Sequence, residues 1–141
     1  LTAATFTEPP MTTATEKAPA SGVVIFEADG RVWVVSPSNG FGGYVNTLPK
    51  GKLDSGITLR ANALKEGYEE CGLQVALTGF LCDSHRSTSV TRYYAAKRIG
   101  GHPARMCWET QAVHLVPRAE LAKFISHKND QVILQALQAL S

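Results

Sequence analysis

Cysteine is scarce in this sequence. Cys71, Cys82 and Cys107 are an odd number and form no Cys-x-x-Cys pair, which weighs against a disulfide framework and favours a reducing, cytosolic setting. Long apolar runs are missing as well: no stretch approaches the eighteen or so residues of a membrane-crossing helix, so no membrane partner is expected. Charge is sparse at 18% and balanced, with 14 Lys and Arg against 12 Asp and Glu and a formal net charge of +2. That balance argues for neither a nucleic acid nor a membrane surface, and an aromatic content of 8% adds no reason to expect nucleic acid. What is present is 141 residues with 44% apolar content, enough for one domain with a core.

The first 21 residues hold six Thr, five Ala and three Pro, with only Leu1, Phe6 and Met11 as large apolar groups. Such a stretch buries too little surface to offset its ordering entropy, so residues 1–21 read as a disordered tail or linker and 22–141 as the folded domain. No basic start leads into an apolar core, so a signal peptide is not indicated. A chain that begins at Leu1 fits a piece of a longer, multidomain protein, or a processed one.

From Gly22 onward the texture is mixed α and β. Val23 to Phe26 and Val32 to Val35 read as a β-hairpin turning at Asp29-Gly30. Ser36 to Gly43, with Pro, Asn and three glycines, reads as a mobile loop, and Tyr44 to Leu48 as a strand leaving it. Thr58 is a suitable N-cap for a helix through Cys71, stopped at Gly72. Strands are expected at Gln74 to Cys82, Ser89 to Ile99 and Gln111 to Val116, and helices at Arg118 to Ile125 and Asp130 to Leu140.

The helix from Thr58 carries the chemistry. At about 100° per residue, Ala61, Leu64, Tyr68 and Cys71 are expected on one side, with Glu66, Glu69 and Glu70 opposite. Like charges three and four residues apart repel, by roughly 0.2–0.5 kcal/mol per pair. A divalent cation such as Mg²⁺, which selects hard oxygen ligands, would reverse that sign. A solvated acidic face partly neutralised by Lys65 is the plainer alternative. Two features set this helix apart from it. Gly67 sits mid-helix at about 1 kcal/mol relative to Ala, and Pro49-Lys50-Gly51-Lys52 places two cations just ahead of the helix.

Residues 51–73 resemble the Nudix box: Gly, five residues, Glu, seven residues, Arg-Glu-aliphatic-x-Glu-Glu-x-Gly-aliphatic. Gly51 opens it and Lys65-Glu66-Gly67-Tyr68-Glu69-Glu70-Cys71-Gly72-Leu73 closes it, with the spacing kept. Three positions depart: Ile57 stands for the first Glu, Lys65 for Arg and Gly67 for an aliphatic residue. The family's Glu and Arg help to hold the loop-helix-loop together, so loss of the acid weakens the demand for a bidentate Arg and a Lys can suffice.

The resemblance implies a Nudix-type α/β/α sandwich with a mixed central sheet. It also implies Mg²⁺- or Mn²⁺-dependent cleavage of a phosphoanhydride bond by water, in a nucleoside diphosphate derivative or a (di)nucleoside polyphosphate. The Gly51 carbonyl with Glu66, Glu69 and Glu70 would hold the metal, which neutralises phosphate charge and activates water. Glu66, or Glu109 from outside the box, would serve as the base. Homodimers are common in the family. A Nudix-fold module that binds a nucleotide or protein without cleaving it is the alternative, motivated by Ile57, Lys65 and Gly67.

Charge outside the box fits a polyanionic ligand. No acid lies between Asp83 and Glu109, while Arg86, Arg92, Lys97, Arg98 and Arg105 do. Lys50, Lys52, Arg86, Arg92 and Tyr94 are therefore the candidate substrate contacts, Arg92 and Tyr94 from one strand face. The markers of the family's ADP-ribose and NADH branches are missing, and Tyr93 and Tyr94 lie near the diadenosine polyphosphate marker without matching it. A competing zinc site could use Cys82 and His85 with His102 and Cys107.

Overall fold

A computed structural model describes residues 6–11, 17–38 and 44–140. The strands are β1 (Ala18–Phe26), β2 (Val32–Pro37), β3 (Lys50–Lys52), β4 (Leu73–His85), β5 (Ser89–Gly101) and β6 (Thr110–Val116). The helices are α1 (Leu59–Cys71), α2 (Leu121–Phe124) and α3 (Gln131–Gln138). One mixed sheet runs β4-β5-β1-β2-β6, with β3 paired to β1 as well. The hairpin turn falls at Gly30, whose φ of 90° suits a residue without Cβ.

β1 organises the sheet because it changes partners along its length. On one side it runs parallel to β5, from Ala18↔Ser89 to Phe26↔Lys97. On the other, Ala20 to Gly22 pair antiparallel with Lys52 to Lys50, and only Phe26 pairs with Val32 of β2. The short strand that leads into α1 is thereby fixed against the middle of the sheet.

Alternation along β1 and β5 splits the core in two, giving the expected three layers. Val23, Ile25, Tyr94 and Ala96 face α1, where Ala63 and Cys71 meet them. Val24 and Tyr93 face the opposite way, with Leu121, Ile125, Ile133 and Leu137 of the C-terminal helices.

Helix α1 presents a different stripe from the one expected. Asn62, Ala63, Gly67 and Cys71 are buried, whereas Leu64 and Tyr68 are 38% and 41% exposed. Helix and sheet approach so closely that only small side chains fit: a Cβ on Gly67 would sit 3.2 Å from Val23 Cγ1. Bulk is displaced to the outer face. The mid-helix glycine thus has a packing reason, and its place in the box needs no aliphatic side chain.

The tail boundary shifts too. Residues 18–21 belong to β1, and Phe6 packs on the α1 side of the core. Residues 1–5 and 12–16, also read as tail, and 39–43, the glycine-rich part of the expected loop, lie outside the described residues. Tyr44 to Leu48 makes one bridge, Val35↔Thr47, rather than a strand. The zinc alternative fails on distance. His85 pairs with Val90 at one end of the β4–β5 ladder and Leu73 with Gly101 at the other, so Cys82 and His85 are some 30 Å along the strand from the His102–Cys107 turn.

Candidate active site

Local chemistry sets the start and end of α1. Thr58 Oγ1 accepts from the Ala61 N–H at 3.1 Å, and Gly72, at φ 72°, donates its N–H to the Tyr68 carbonyl. Between these caps, the row Asn62, Glu66, Glu70 lies along the edge of the helix that meets β3.

Glu66 and Glu70 converge on the Lys50–Gly51 backbone. The Lys50 N–H donates to Glu70 Oε2 at 3.1 Å, and a Cβ at Gly51 would overlap the Glu66 carboxylate. A larger residue at position 51 would displace the Glu66 carboxylate from this place. Burial raises the Glu70 pKa to about 9; a hydrogen bond with Glu66 acts in the same sense, and Lys50 opposes both. Two carboxylates therefore share a place where water does not separate them.

Glu69 is turned away. It pairs with Lys65 Nζ at 3.0 Å, and Lys65 also reaches Asp54 at 2.9 Å and Glu66 at 3.1 Å. Among the described residues, no three acids, histidines or cysteines are already gathered around one point. The donor set that does converge, two carboxylates beside the Lys50–Gly51 backbone, matches the preference of a hard cation for few carboxylates and several waters. Glu109 is exposed, in the turn before β6, where its carbonyl accepts from the Ser38 N–H. The neighbouring turn meets α1 through the Cys107 N–H, which donates to the Glu69 carbonyl.

The cations sort into two groups. Lys50 reaches through to the α2–α3 side, with Nζ 4.0 Å from the centre of the Tyr44 ring. Its pKa is lowered, first by burial and then by Arg86, against the pull of Glu70, Asp130 and Glu66. Arg86 is on this side as well, donating to Tyr93 Oη at 3.0 Å and to Asp130 Oδ1 at 3.3 Å. Asp130 is fully buried and also accepts from Thr47 Oγ1 at 2.7 Å. Tyr44 stacks on His127 with centroids 4.0 Å apart. Lys52 is exposed at the end of β3.

Arg92 and Tyr94 were expected at the substrate. They point to the α1 face, and their capacity is taken up within the chain. Arg92 is 2% exposed and forms a two-point pair with Asp83, at 2.8 and 2.9 Å. It also donates to Glu8 at 2.8 Å, and the Tyr94 hydroxyl donates to the same carboxylate. Strand alternation does carry both residues to one face, but that face is covered by the N-terminal segment.

Tyr44, Asp130 and Asn62 escaped the sequence reading. Asn62 alone carried a usable signal: a poor helix former inside the first half of α1 with no capping duty.

The chain's sequence matches the family described as NUDIX domain over residues 16–137. No curated protein matches it. Among solved structures it is similar to one described as MutT from Aliivibrio salmonicida and Vibrio cholerae (17% identity, 89% of this chain and 99% of that one, TM-score 0.75). It is likewise similar to an ADP-ribose pyrophosphatase from Streptococcus suis (20%, 88% and 92%, 0.67) and to an Ap4A hydrolase from C. elegans (18%, 87% and 96%, 0.70). With a mixed sheet between α1 and the C-terminal helices and the box residues Glu66 and Glu70 at the Lys50–Gly51 backbone, the chain belongs to the NUDIX domain family, that of the Nudix pyrophosphohydrolases.

Proposed function

We propose that this protein is a divalent-metal-dependent hydrolase of a phosphoanhydride bond in a nucleoside diphosphate derivative or (di)nucleoside polyphosphate. The observation that carries the reading is the convergence of Glu66 and Glu70 on the Lys50–Gly51 backbone. The names of the structural neighbours, ADP-ribose pyrophosphatase and Ap4A hydrolase, fit that substrate class.

The Gly51 carbonyl, Glu66 and Glu70 would hold the cation, Mg²⁺ or Mn²⁺, and Glu69 would join them on leaving its Lys65 partner. When bound, the cation neutralises phosphate charge and activates water. Lys50 and Arg86, half-buried together beside Tyr44, present positive charge to the phosphates, and Lys52 adds a solvent-facing cation at the same strand. Asp130 and Tyr93 hold the Arg86 guanidinium in place. Glu109, exposed and unencumbered by a close cation among the described residues, takes the proton of the attacking water; Glu66 is the alternative base. Arg92 and Tyr94 are left out of this scheme because they lie under the N-terminal segment on the α1 face, bonded to Glu8.

The test is hydrolysis of ADP-ribose, diadenosine polyphosphates and nucleoside triphosphates with Mg²⁺ or Mn²⁺, comparing wild type with Glu70→Gln. Metal-dependent cleavage between phosphates that is lost in the variant is the expected result. Nucleotide binding without any cleavage would replace the hydrolase with a binding module.

A further inference from the structure

The β1 ladder holds Lys50 to Lys52, and the Leu53 N–H donates to the Pro19 carbonyl at 3.0 Å, but from Asp54 to α1 the chain leaves the sheet. Asp54, Ser55 and Gly56 are exposed, Gly56 turns at φ 86°, and Ile57 offers no charge for Lys65. Yet the carbonyl at the head of this segment, Gly51, must stay beside Glu66 and Glu70 for those groups to act together.

One buried side chain reaches both ends of the segment. Asn62, fully buried in the first half of α1, donates through Nδ2 to the Gly51 carbonyl at 3.1 Å and to Ser21 Oγ at 3.0 Å. Its Oδ1 accepts from the Asp54 N–H at 3.2 Å. Ser21 Oγ in turn donates to the Leu59 carbonyl at 2.8 Å, so β1, β3 and α1 meet at this amide. The amide can be oriented in one way only. Reversing it would set N–H against the Asp54 N–H and oxygen against the Gly51 carbonyl. No apolar side chain of the same shape could make these three hydrogen bonds. Lys65 supplements the amide from outside through its 2.9 Å pair with Asp54.

We infer that Asn62 is a positioning residue that clasps the Gly51–Asp54 segment to α1 and so sets the Gly51 carbonyl beside the Glu66 and Glu70 carboxylates. Its consequence for catalysis rests on the hydrolase reading; the clasp itself does not.

Two measurements on the metal-free protein test it: amide hydrogen exchange by ¹⁵N NMR, and Mn²⁺ binding followed by the paramagnetic resonance signal of the free ion. The Asp54 N–H should exchange at least about tenfold more slowly than the neighbouring Ser55 N–H. Asn62→Asp, which keeps the acceptor, should retain that protection, and Asn62→Ala should lose it. A side chain that merely filled space would not separate these two variants. Mn²⁺ should bind Asn62→Ala about tenfold or more weakly than wild type, the usual scale for groups that orient metal ligands. Equal exchange at Asp54 and Ser55 in folded wild type would overturn the inference, as would Mn²⁺ affinity of Asn62→Ala within about twofold of wild type. Should Asn62→Ala fail to fold, wild type and Asn62→Asp decide through exchange alone. A wild type that binds no Mn²⁺ sinks the hydrolase reading, and the exchange result still judges the clasp.

Discussion

Replacing Glu8 with Ala removes an anchor that the sequence reading assigned to a disordered tail. The Glu8 carboxylate accepts from Arg92 at 2.8 Å and from Arg60 and Tyr94 at 2.5 Å each. Phe6 of the same segment lies against Arg60, with the guanidinium carbon 3.8 Å from the ring centre. A hydrogen bond to a charged group contributes roughly 1.5–3 kcal/mol. The three here share one acceptor that is 20% exposed, and Arg92 keeps Asp83 after the substitution. Discounted for both facts, the expected loss is about 2–3 kcal/mol, or about 6–9 °C in Tm for a chain of this length. Urea and thermal unfolding by circular dichroism read it directly. The pH dependence supplies a second signature. Burial on its own would raise the Glu8 pKa, but bonds from Tyr94, Arg60 and Arg92 together hold it below the ordinary value of 4.5. A depressed carboxylate contributes stability that is complete above its unfolded pKa and lost as pH falls through the folded one. The gap between wild type and Glu8→Ala should therefore be constant near neutrality and close in acid. A loss under about 0.5 kcal/mol, the range of an ordinary surface change, would refute the anchor.

Three further outcomes follow from the packing and the charges. Gly67→Leu should destabilise by about 2–3 kcal/mol through overpacking against Val23 and Ile25, while Leu64→Ala on the outer face should cost under about 1 kcal/mol; denaturant titration compares them, and a reversed order would mean that α1 sits differently on the sheet. Asp130→Ala should cost about 3–5 kcal/mol by leaving buried Arg86 unpaired and Thr47 without its acceptor, and Asp130→Asn markedly less; equal stabilities by calorimetry would count against the buried network. Because the folded Glu70 pKa is raised to about 9, metal-free wild type should lose stability as pH rises from the carboxylate range toward 9. Glu70→Gln should flatten that slope and added Mn²⁺ should oppose it; parallel Tm profiles for the two proteins would show that Glu70 carries no such burden.

Much of the fold was legible because it rests on local rules. The Thr58 cap, the Gly72 stop and the Gly30 turn each follow from one residue's backbone preferences, and the strands of β4, β5 and β6 from β-branched and aromatic runs. The spacing from Gly51 to Glu70 is likewise a local quantity, since a helix carries i and i+4 to the same side wherever it packs.

The burial of α1 was not legible in that way. Hydrophobicity pointed to Leu64 and Tyr68, yet the sheet accepted Ala63, Gly67 and Cys71, because the distance between helix and sheet is a property of both surfaces together. Nor could the sequence say how each cation is paired. Arg86 and Arg92 look alike along the chain, but one is held by Asp130 beside Lys50 and the other is consumed by Asp83 and Glu8, partners separated from them by as many as 84 positions. The sequence by itself determined the elements, their order and the row of glutamates, since these depend on neighbours within a few residues. Only the tertiary structure decided which face of α1 is buried, which acids pair with Arg86 and Arg92 and that Asn62 ties β1, β3 and α1 together, since each depends on what distant segments bring to the same few ångströms.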